Sequence, residues 1–437
     1  MLWKSDRISG WGRIHAADME LSRPSRRGKA VALFKDSPAP AIGGLRSYGD
    51  AALKSDGHGH MMTRLDRFMS FDPATGILRA EAGISMRDIL AVTLPKGWAP
   101  SALPGTGHVT LGGCIAMDVH GKDHRSKGSF GAQVLEITLI DALGKTHKAS
   151  PKTKSRLFWA TIGGLGQTGI ILDAKIQMAR GSEVVDITKT RFGSLSEGMA
   201  LLETSEAQFN VAWIDASASG DALGRGILES SDYSEGDLTQ RRSKQRSVPI
   251  NLPKFAMSPL PTRLFNQIRY SRASDDPQRE TVPFLEAQYP LDKLGDWNQL
   301  YGKSGFHQFQ ACFRLDQSEA AIHELLSEVV KAKAASPLVV MKRLGAEGSS
   351  LLGFPQEGFT VAIDMQNRSN TNGLLTMLTD ITLKHDGRVY LAKDSSVSAR
   401  AFKTMYPNWK TWAEICAKQD PEGAFVTDMV TRLEARP

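Results

Sequence analysis

The chain has 437 residues, of which 41% are hydrophobic and 23% charged, and it carries a formal net charge of +7. This length exceeds one ordinary hydrophobic core, so at least two domains are expected. Three scattered cysteines argue against a disulfide framework or a zinc site. No signal-peptide core and no run of 18 apolar residues occurs, which excludes a membrane-spanning helix and favours a cytoplasmic location.

The first part of the chain, from about 28 to 180, alternates short apolar runs with one helical segment. Short strands are predicted at 30–34, 77–82, 134–141 and 169–177. Residues 85–94 have helical apolar spacing, and Ser85 is suited to cap this helix. The pattern predicts an α+β or α/β domain.

The middle of the chain, from 230 to 281, combines charges and prolines with few periodic segments. This composition predicts a long loop or mobile excursion. Its RRSKQR run at 241–246 has two interpretations, a solvated face or a contact with an acidic surface. The neighbouring apolar stretches at 249–257 and 260–265 strengthen the second.

The following segments, 305–314 and 358–366, alternate in polarity as strands do. Residues 319–332 form an amphipathic helical pattern, with Ser318 placed to cap it. Elements of these lengths predict an antiparallel sheet with helices on one face.

Two glycine-rich constellations carry the candidate chemistry. The loop GGLRSYGD at 43–50 is a candidate phosphate cradle, with a plain glycine turn as the alternative. The spacing is not GxGxxG before a long helix, so the usual nicotinamide fingerprint is absent.

The second constellation, residues 104–131, holds seven glycines interspersed with apolar residues. A mobile loop is one interpretation, but the apolar residues favour a buried segment whose backbone approaches a ligand. His120 and Lys122 end the run without partners at zinc-ligand spacing. Such a site suits a protein that holds a large anionic cofactor.

Motifs in three parts of the chain resemble those of the vanillyl-alcohol-oxidase (PCMH-type) superfamily of FAD-linked oxidases. They are RSYGD at 46–50, the stretch 104–131 with HGKDH and GSFG, and YLAKD at 390–394. The similarity is greatest to the decaprenylphosphoryl-β-D-ribose 2′-oxidase family, and it runs from SGWGR to DPEGAF.

The resemblance implies an α+β, two-domain PCMH-type fold. Its FAD-binding domain would span 1–183 and be completed by 388–437, and a substrate domain at 184–387 would be built on an antiparallel sheet, with the mobile excursion near 230–281. The residues implied to bind FAD are Gly43, Gly44, Arg46, Ser47, Tyr48, Gly49, Asp50, Gly105, Thr110, Leu111, Gly112, Gly113, Met117, Asp118, Val119, His120, Ile171 and Tyr390.

Many relatives bond the flavin covalently through a histidine in the first motif. Arg46 stands at the approximate position here and cannot form that bond, so the resemblance implies non-covalent FAD. The relatives also have a glycine in place of Leu45, and mycobacterial members have a pocket cysteine in place of Ala362.

The same resemblance implies the reactive residues. Catalytic roles fall to Lys393, Lys122 and His120, and the residues implied to bind substrate are Lys122, Gln308, Gln310, Lys342 and Lys393. Lys393 has alternative roles that stay open. A neutral lysine accepts the hydroxyl proton, whereas a charged one stabilises an anion.

The implied reaction is FAD-dependent oxidation of the ribose 2′-hydroxyl of a polyprenylphosphoryl-β-D-ribose, the first half of an epimerisation to the arabinose donor for cell-wall polysaccharide. Implied partners are the polyprenyl-phosphate sugar, a separate NADH-dependent short-chain reductase and the inner face of the membrane, with no nucleic acid. The alternatives are an alditol or aldonolactone oxidase on the same fold and a flavin-free binding protein.

Overall fold

The computed structural model describes residues 3–235, 246–274, 276–334 and 336–436. Its elements mix helices with largely antiparallel sheets, which confirms the predicted α+β class. None of the helices in these ranges combines the length and apolarity needed to cross a bilayer.

The N-terminal part of the described chain forms two sheets. The first has the order β1-β2-β4-β3 and consists of β1 (Trp3–Ser9), β2 (Ala16–Ser22), β3 (Ala41–Ile42) and β4 (His58–Met61). The second has the order β5-β6-β10-β8-β9, with β7 also paired to β10, and consists of β5 (Phe68–Asp72), β6 (Ile77–Glu81), β7 (Trp98–Pro100), β8 (Val134–Ile140), β9 (Thr146–Ala149) and β10 (Ile170–Arg180).

A larger sheet follows, in the order β15-β11-β13-β12-β18-β19-β17-β20, and every described pairing within it is antiparallel. Its strands are β11 (Val184–Phe192), β12 (Phe209–Ile214), β13 (Gly226–Ser234), β15 (Gln278–Pro283), β17 (Phe306–Arg314), β18 (Val339–Leu344), β19 (Gly358–Gln366) and β20 (Arg388–Val389). The short strands β14 (Arg246–Ser247) and β16 (Leu294–Gly295) pair with each other.

The helices of the described chain are α1 (Arg27–Asp36), α2 (Met86–Thr93), α3 (Leu111–Ala116), α4 (His124–Lys127), α5 (Ser155–Thr161), α6 (Leu195–Thr204), α7 (Pro259–Arg272), α8 (Phe284–Gln288), α9 (Leu315–Lys331), α10 (Thr371–Lys384), α11 (Ala399–Met405), α12 (Trp409–Gln419) and α13 (Asp428–Arg432). Helix α9 packs against α6, α10 and the strands β17 and β19, so these helices cover one face of the larger sheet as predicted. Ser85 caps α2, also as predicted, by accepting a hydrogen bond from the amide of Asp88.

Helix α1 contradicts the strand predicted at 30–34. Its buried residues are Ala30, Leu33 and Phe34. This spacing of three and four places them on one helical face, whereas a strand would alternate them. The apolar residues at 30–34 are consecutive in the sequence, but only one side of the helix is buried.

Helix α9 begins at Leu315, four residues before the predicted start, so the capping role predicted for Ser318 is wrong. Ser318 lies inside the helix, and its buried hydroxyl donates to the carbonyls of Phe313 and Arg314. The first turn is largely exposed, so the apolar periodicity does not reveal it.

The predicted loop at 230–281 is only partly a loop. Strand β13 continues to Ser234, helix α7 occupies Pro259–Arg272 and β15 begins at Gln278. The first five residues of the RRSKQR run, 241–245, lie outside the described residues.

Candidate active site

The face of the larger sheet opposite the helices lines a cavity of about 790 Å³, which is ample for a cofactor and a substrate. Side chains on alternate positions of its strands point into this cavity, including Gln308 and Gln310 on β17 and Lys342 on β18. Both glycine-rich segments form the opposite wall. The cavity is therefore built from the beginning, the middle and the end of the chain.

The first glycine loop leaves β3 and turns sharply at Leu45, which adopts a positive φ of 52°. Glycine would reach this conformation without strain, whereas leucine adopts it at a cost of about 1–2 kcal/mol. The amide of Tyr48 donates to the carbonyl of Ala392 at 3.0 Å, which joins the loop to the C-terminal part of the chain.

An ion cluster behind this loop holds the two ends of the chain together. The guanidinium of Arg432 binds both carboxylate oxygens of Asp50 at 2.8 Å and one oxygen of Asp394 at 2.9 Å. Burial opposes the charge, but the two carboxylates raise the pKa of Arg432 above its usual value. Asp50 therefore fixes the loop from behind.

The second glycine segment contains the short helix α3, which Thr110 caps by accepting a hydrogen bond from the amide of Gly113 at 3.2 Å. Gly112 packs against Ala82, where an added Cβ would lie 3.1 Å from the Ala82 Cβ. After the helix, Asp118 adopts a φ of 39° and accepts a hydrogen bond from the amide of Gly131 at 2.8 Å. These contacts shape the segment as a fixed wall.

His120 follows this turn and is buried between two aromatic rings, with Phe354 at 5.3 Å and Tyr390 at 5.0 Å. The amide nitrogen of Gln310 donates to its Nε2 at 2.9 Å, so the ring proton resides on Nδ1. Burial, together with the neighbouring Lys342, holds the pKa of His120 well below its usual value. The imidazole is therefore neutral.

Three lysines project into the cavity near His120. Burial and the positive charge of Lys122 together lower the pKa of Lys342 to about 8. The ammonium of Lys122 donates to the carbonyl of Ala287 at 2.7 Å. Burial and Lys342 lower the pKa of Lys393 to about 7, against the opposing effect of Asp364. Clustered, partly buried cations of this kind favour an anionic ligand.

Most of the residues predicted to bind FAD line this cavity. They are Gly43, Gly44, Arg46, Ser47, Tyr48, Gly49, Gly105, Thr110, Gly113, Met117, Val119, His120 and Tyr390. All residues predicted to be catalytic or to bind substrate line it as well, namely His120, Lys122, Gln308, Gln310, Lys342 and Lys393.

Five predicted FAD-binding residues, Asp50, Leu111, Gly112, Asp118 and Ile171, are not among the residues that line the cavity. Leu111 and Ile171 belong to the hydrophobic core. Asp50, Gly112 and Asp118 support the wall from outside through the contacts described above.

Several cavity residues carry no prediction from the sequence. They are Trp11, His108, Trp213, Glu229, Arg269, Gln288, Asp292 and Trp297. Asp292 accepts hydrogen bonds from Thr106 and from the amide of Gly107, so the segment after α8 closes onto the second glycine segment. Only the nearby aromatic residues could have marked this segment, because it lacks a glycine-rich motif.

The cavity fits a flavin dinucleotide. An ideal Cβ at Gly105 would have no atom within 4 Å, so the backbone there is open to a close ligand. Within the described chain, Arg46 Nε and His120 Nδ1 are buried without a hydrogen-bond partner. An unsatisfied buried donor costs about 1–3 kcal/mol, which a bound acceptor would recover. The Arg46 guanidinium stacks over Trp11 at 4.1 Å and lies on the cavity wall.

Comparison with protein families places two known domains on this chain. Residues 29–150 match the FAD binding domain family, and residues 358–433 match the D-arabinono-1,4-lactone oxidase family. The first match covers both glycine-rich segments, and the second covers β19 and Lys393. FAD is therefore the cofactor, on the PCMH-type fold predicted from the sequence.

Individual relatives extend this result to the whole chain. An L-gulonolactone oxidase of Scyliorhinus torazame is 23% identical over 85% of this chain and 84% of its own length. The decaprenylphosphoryl-β-D-ribose oxidase of Mycolicibacterium smegmatis is 32% identical over 98% of this chain and 97% of its own length. The chain therefore belongs to the decaprenylphosphoryl-β-D-ribose oxidase family of FAD-dependent oxidoreductases.

Proposed function

We propose that this protein oxidises the 2′-hydroxyl of a polyprenylphosphoryl-β-D-ribose to the 2′-ketone. The observation that carries the proposal is the cluster of three lysines on the cavity wall, in which Lys122 and Lys342 supply positive charge beside Lys393. A sugar phosphate supplies the anion that such a cluster favours, whereas a neutral alditol or aldonolactone does not. The similarity to lactone oxidases supports a shared fold and cofactor.

FAD, when bound, accepts the hydride that leaves the alcohol carbon. The chain itself must then take the hydroxyl proton, and we assign this step to Lys393. The O–H bond of the substrate breaks and an N–H bond forms at Lys393 Nζ. A pKa of about 7 leaves much of this amine neutral at neutral pH, as a proton acceptor requires. His120, neutral and fixed by Gln310, shapes the site beside it.

Anaerobic reduction of the bound flavin tests the proposal. Polyprenylphosphoryl-β-D-ribose should bleach the flavin absorbance of the holoprotein, with one 2′-keto sugar formed per flavin. Free alditols and aldonolactones at the same concentration should leave the spectrum unchanged. Bleaching by a neutral lactone but not by the phosphoryl sugar would instead identify a lactone oxidase.

The product of this reaction is a ketone, so a second enzyme must reduce it to complete an epimerisation. We infer that this partner is a separate NADH-dependent short-chain reductase. Both enzymes would then act at the cytoplasmic face of the membrane, where their lipid-linked substrate resides. Purified reductase supplied with NADH, together with this protein in stoichiometric amount so that its own FAD takes up the electrons, should convert the ribosyl lipid to the arabinosyl lipid.

FAD should be dissociable from this protein. The resemblance puts Arg46 at the approximate position used for covalent attachment in other members of the superfamily, and its guanidinium stacks on Trp11. We expect acid denaturation to release all FAD, and the intact mass of the denatured protein to equal that of the polypeptide. A mass increase by one flavin would identify an attachment residue elsewhere in the chain.

Helix α7 supports contact with a membrane, because its buried face is polar and its exposed face is apolar. Its buried residues are the polar Thr262 and Asn266. Four large apolar side chains are exposed instead, Leu260 at 79%, Leu264 at 61%, Phe265 at 51% and Ile268 at 43%. The charged residues of this helix are all arginines. An exposed apolar stripe with cationic flanks fits the surface of an anionic bilayer.

The same helix reaches the cavity. Arg269 lines the cavity wall, with its guanidinium 4.5 Å from the centre of the Trp213 ring. A bilayer bound at the outer face of α7 would therefore lie close to the site where a lipid-linked sugar is oxidised. We infer that α7 is the membrane-facing element of the protein.

Flotation with vesicles tests this inference. Wild-type holoprotein should bind vesicles that contain phosphatidylglycerol, and the double variant Leu264→Asp/Phe265→Asp should bind at least about tenfold more weakly, because two apolar side chains no longer enter the interface. Leu143→Asp is the control, since Leu143 is 70% exposed in the turn between β8 and β9. Equal binding by the double variant would contradict the inference, as would a loss of self-association in its place.

We propose the domain division 1–183 with 388–437, and 184–387, as predicted. The first boundary falls in the connection between β10 and β11. The second boundary falls immediately before β20. The C-terminal part of the first domain therefore begins with a short strand that pairs with β17 of the larger sheet.

A further inference from the structure

A fully buried carboxylate lies beneath the cavity and belongs to no recognised motif. Asp364 on β19 is 0% exposed and does not line the cavity. It accepts hydrogen bonds from the Tyr301 hydroxyl at 3.0 Å and from the Gln308 amide. In the described parts of the chain it has no lysine or arginine within ion-pair distance. A buried carboxylate without an ion-pair partner is costly to keep charged, so the groups around Asp364 decide its charge state.

A continuous set of contacts joins this carboxylate to Lys393. Gln308 lies directly opposite Asp364 in the pairing of β17 with β19. The same Gln308 side chain is close enough to the Tyr48 hydroxyl to lower the pKa of Tyr48, against the larger effect of burial. Lys393 Nζ lies 3.9 Å from the centre of the Tyr48 ring. The amide of Tyr48 is bound to the carbonyl of Ala392, the residue before Lys393. Asp364, Gln308 and Tyr48 thus support the lysine from below.

The charged and titratable groups around Lys393 come from several elements. Burial lowers its pKa, Asp364 raises it and Lys342 on β18 lowers it. His120 is also close enough for its pKa to be lowered by the charge of Lys393. Burial raises the pKa of Asp364 itself to about 7, and Lys393 opposes this. Asp364 is the one group of this set that favours protonated Lys393.

We propose that Asp364 is a positioning residue for Lys393, which it holds through Gln308 and Tyr48 and whose positive charge it stabilises after proton transfer. The assignment rests on the proposed role of Lys393 as proton acceptor. It extends that role to a second residue that never touches the substrate.

The variant Asp364→Asn removes the charge and keeps the shape of the side chain. Labelling of Lys393 by acetic anhydride is measured by peptide mass spectrometry as a function of pH. In the FAD-loaded variant, we expect the pH midpoint of this labelling to fall by about 1 pH unit or more. The pH dependence of flavin reduction should shift in the same direction. Asp215→Asn is the matched control, because Asp215 is also fully buried next to a strand of the larger sheet, where it is paired with Arg225. In Asp215→Asn, the pH midpoint for labelling of Lys393 should equal that of wild type.

An unchanged midpoint in folded, FAD-loaded Asp364→Asn would overturn the proposal. If this variant does not fold, Tyr301→Phe provides the second test. It removes one hydrogen bond to the carboxylate, weakens the negative charge and should lower the Lys393 midpoint by a smaller amount, and no change there would overturn the proposal equally. A shifted midpoint in a protein that fails to oxidise polyprenylphosphoryl ribose would support the positioning role and reject the substrate.

Discussion

Replacing Lys393 with alanine should slow anaerobic flavin reduction by the sugar substrate about 10²-fold or more while FAD remains bound. The variant loses the proton acceptor, and general-base catalysis contributes roughly 10²–10⁴-fold to such reactions. In wild type the rate of reduction should rise with pH through about 7, because the amine accepts a proton only above its pKa. Stopped-flow absorbance of the flavin across pH 5.5–9 measures both effects, in steps of roughly half a pH unit.

Lys393→Arg separates the two roles of this residue, since a guanidinium stays charged at every accessible pH. If Lys393 is the proton acceptor, Lys393→Arg should be as slow as Lys393→Ala. Retained activity in Lys393→Arg would instead show that the positive charge of the residue is what the reaction needs. Lys403→Ala is the control, because Lys403 belongs to an ion pair with Glu434 at the protein surface and should leave the rate unchanged.

A second large effect is expected at Gly49, where the loops from the two ends of the chain meet. A Cβ at this position would lie 2.1 Å from the carbonyl oxygen of Asp394 and 3.0 Å from the Cα of Ser395. Both neighbouring atoms belong to the backbone, so one of the two chain segments must move. Gly49→Ala should therefore destabilise the holoprotein by about 1–3 kcal/mol and lower its FAD content.

Thermal unfolding and the ratio of flavin to protein absorbance measure this prediction. Gly28→Ala is the matched control, since Gly28 lies in α1 with no atom within 4 Å of an added Cβ. Alanine there should stabilise the protein by about 0.5–1 kcal/mol. Wild-type stability and FAD content in Gly49→Ala would show that the two loops do not meet as described.

Two of the elements predicted from the sequence are wrong in detail, whereas the residues predicted for the site surround one cavity, where their roles stay predictions. The glycine-rich segments and Lys393 carry the motifs, and most of the residues in those motifs line the cavity. The strand predicted at α1 is wrong because the apolar residues at 30–34 are consecutive in the sequence, whereas only one face of the helix is buried. Ser318 was mistaken for a cap because the first turn of α9 is exposed and shows no apolar period.

Other features depend on tertiary contacts that no local pattern encodes. Asp50 belongs to the first motif, yet its carboxylate turns away from the cavity to Arg432, which follows 382 residues later. Asp364 lies in a strand whose polar and apolar residues are all buried, so alternation could not mark it. The exposed apolar face of α7 does not show in the sequence pattern, because the prolines and charges around it predict a loop.

The clamp of Arg432 on Asp50 also has a consequence for biosynthesis. At roughly 5–20 residues per second, a ribosome needs several tens of seconds to add the 382 residues that separate these partners. The nascent chain must keep its early glycine loop unfinished throughout this interval. Capture of the cofactor should accordingly be a late event, which follows translation of the last helix.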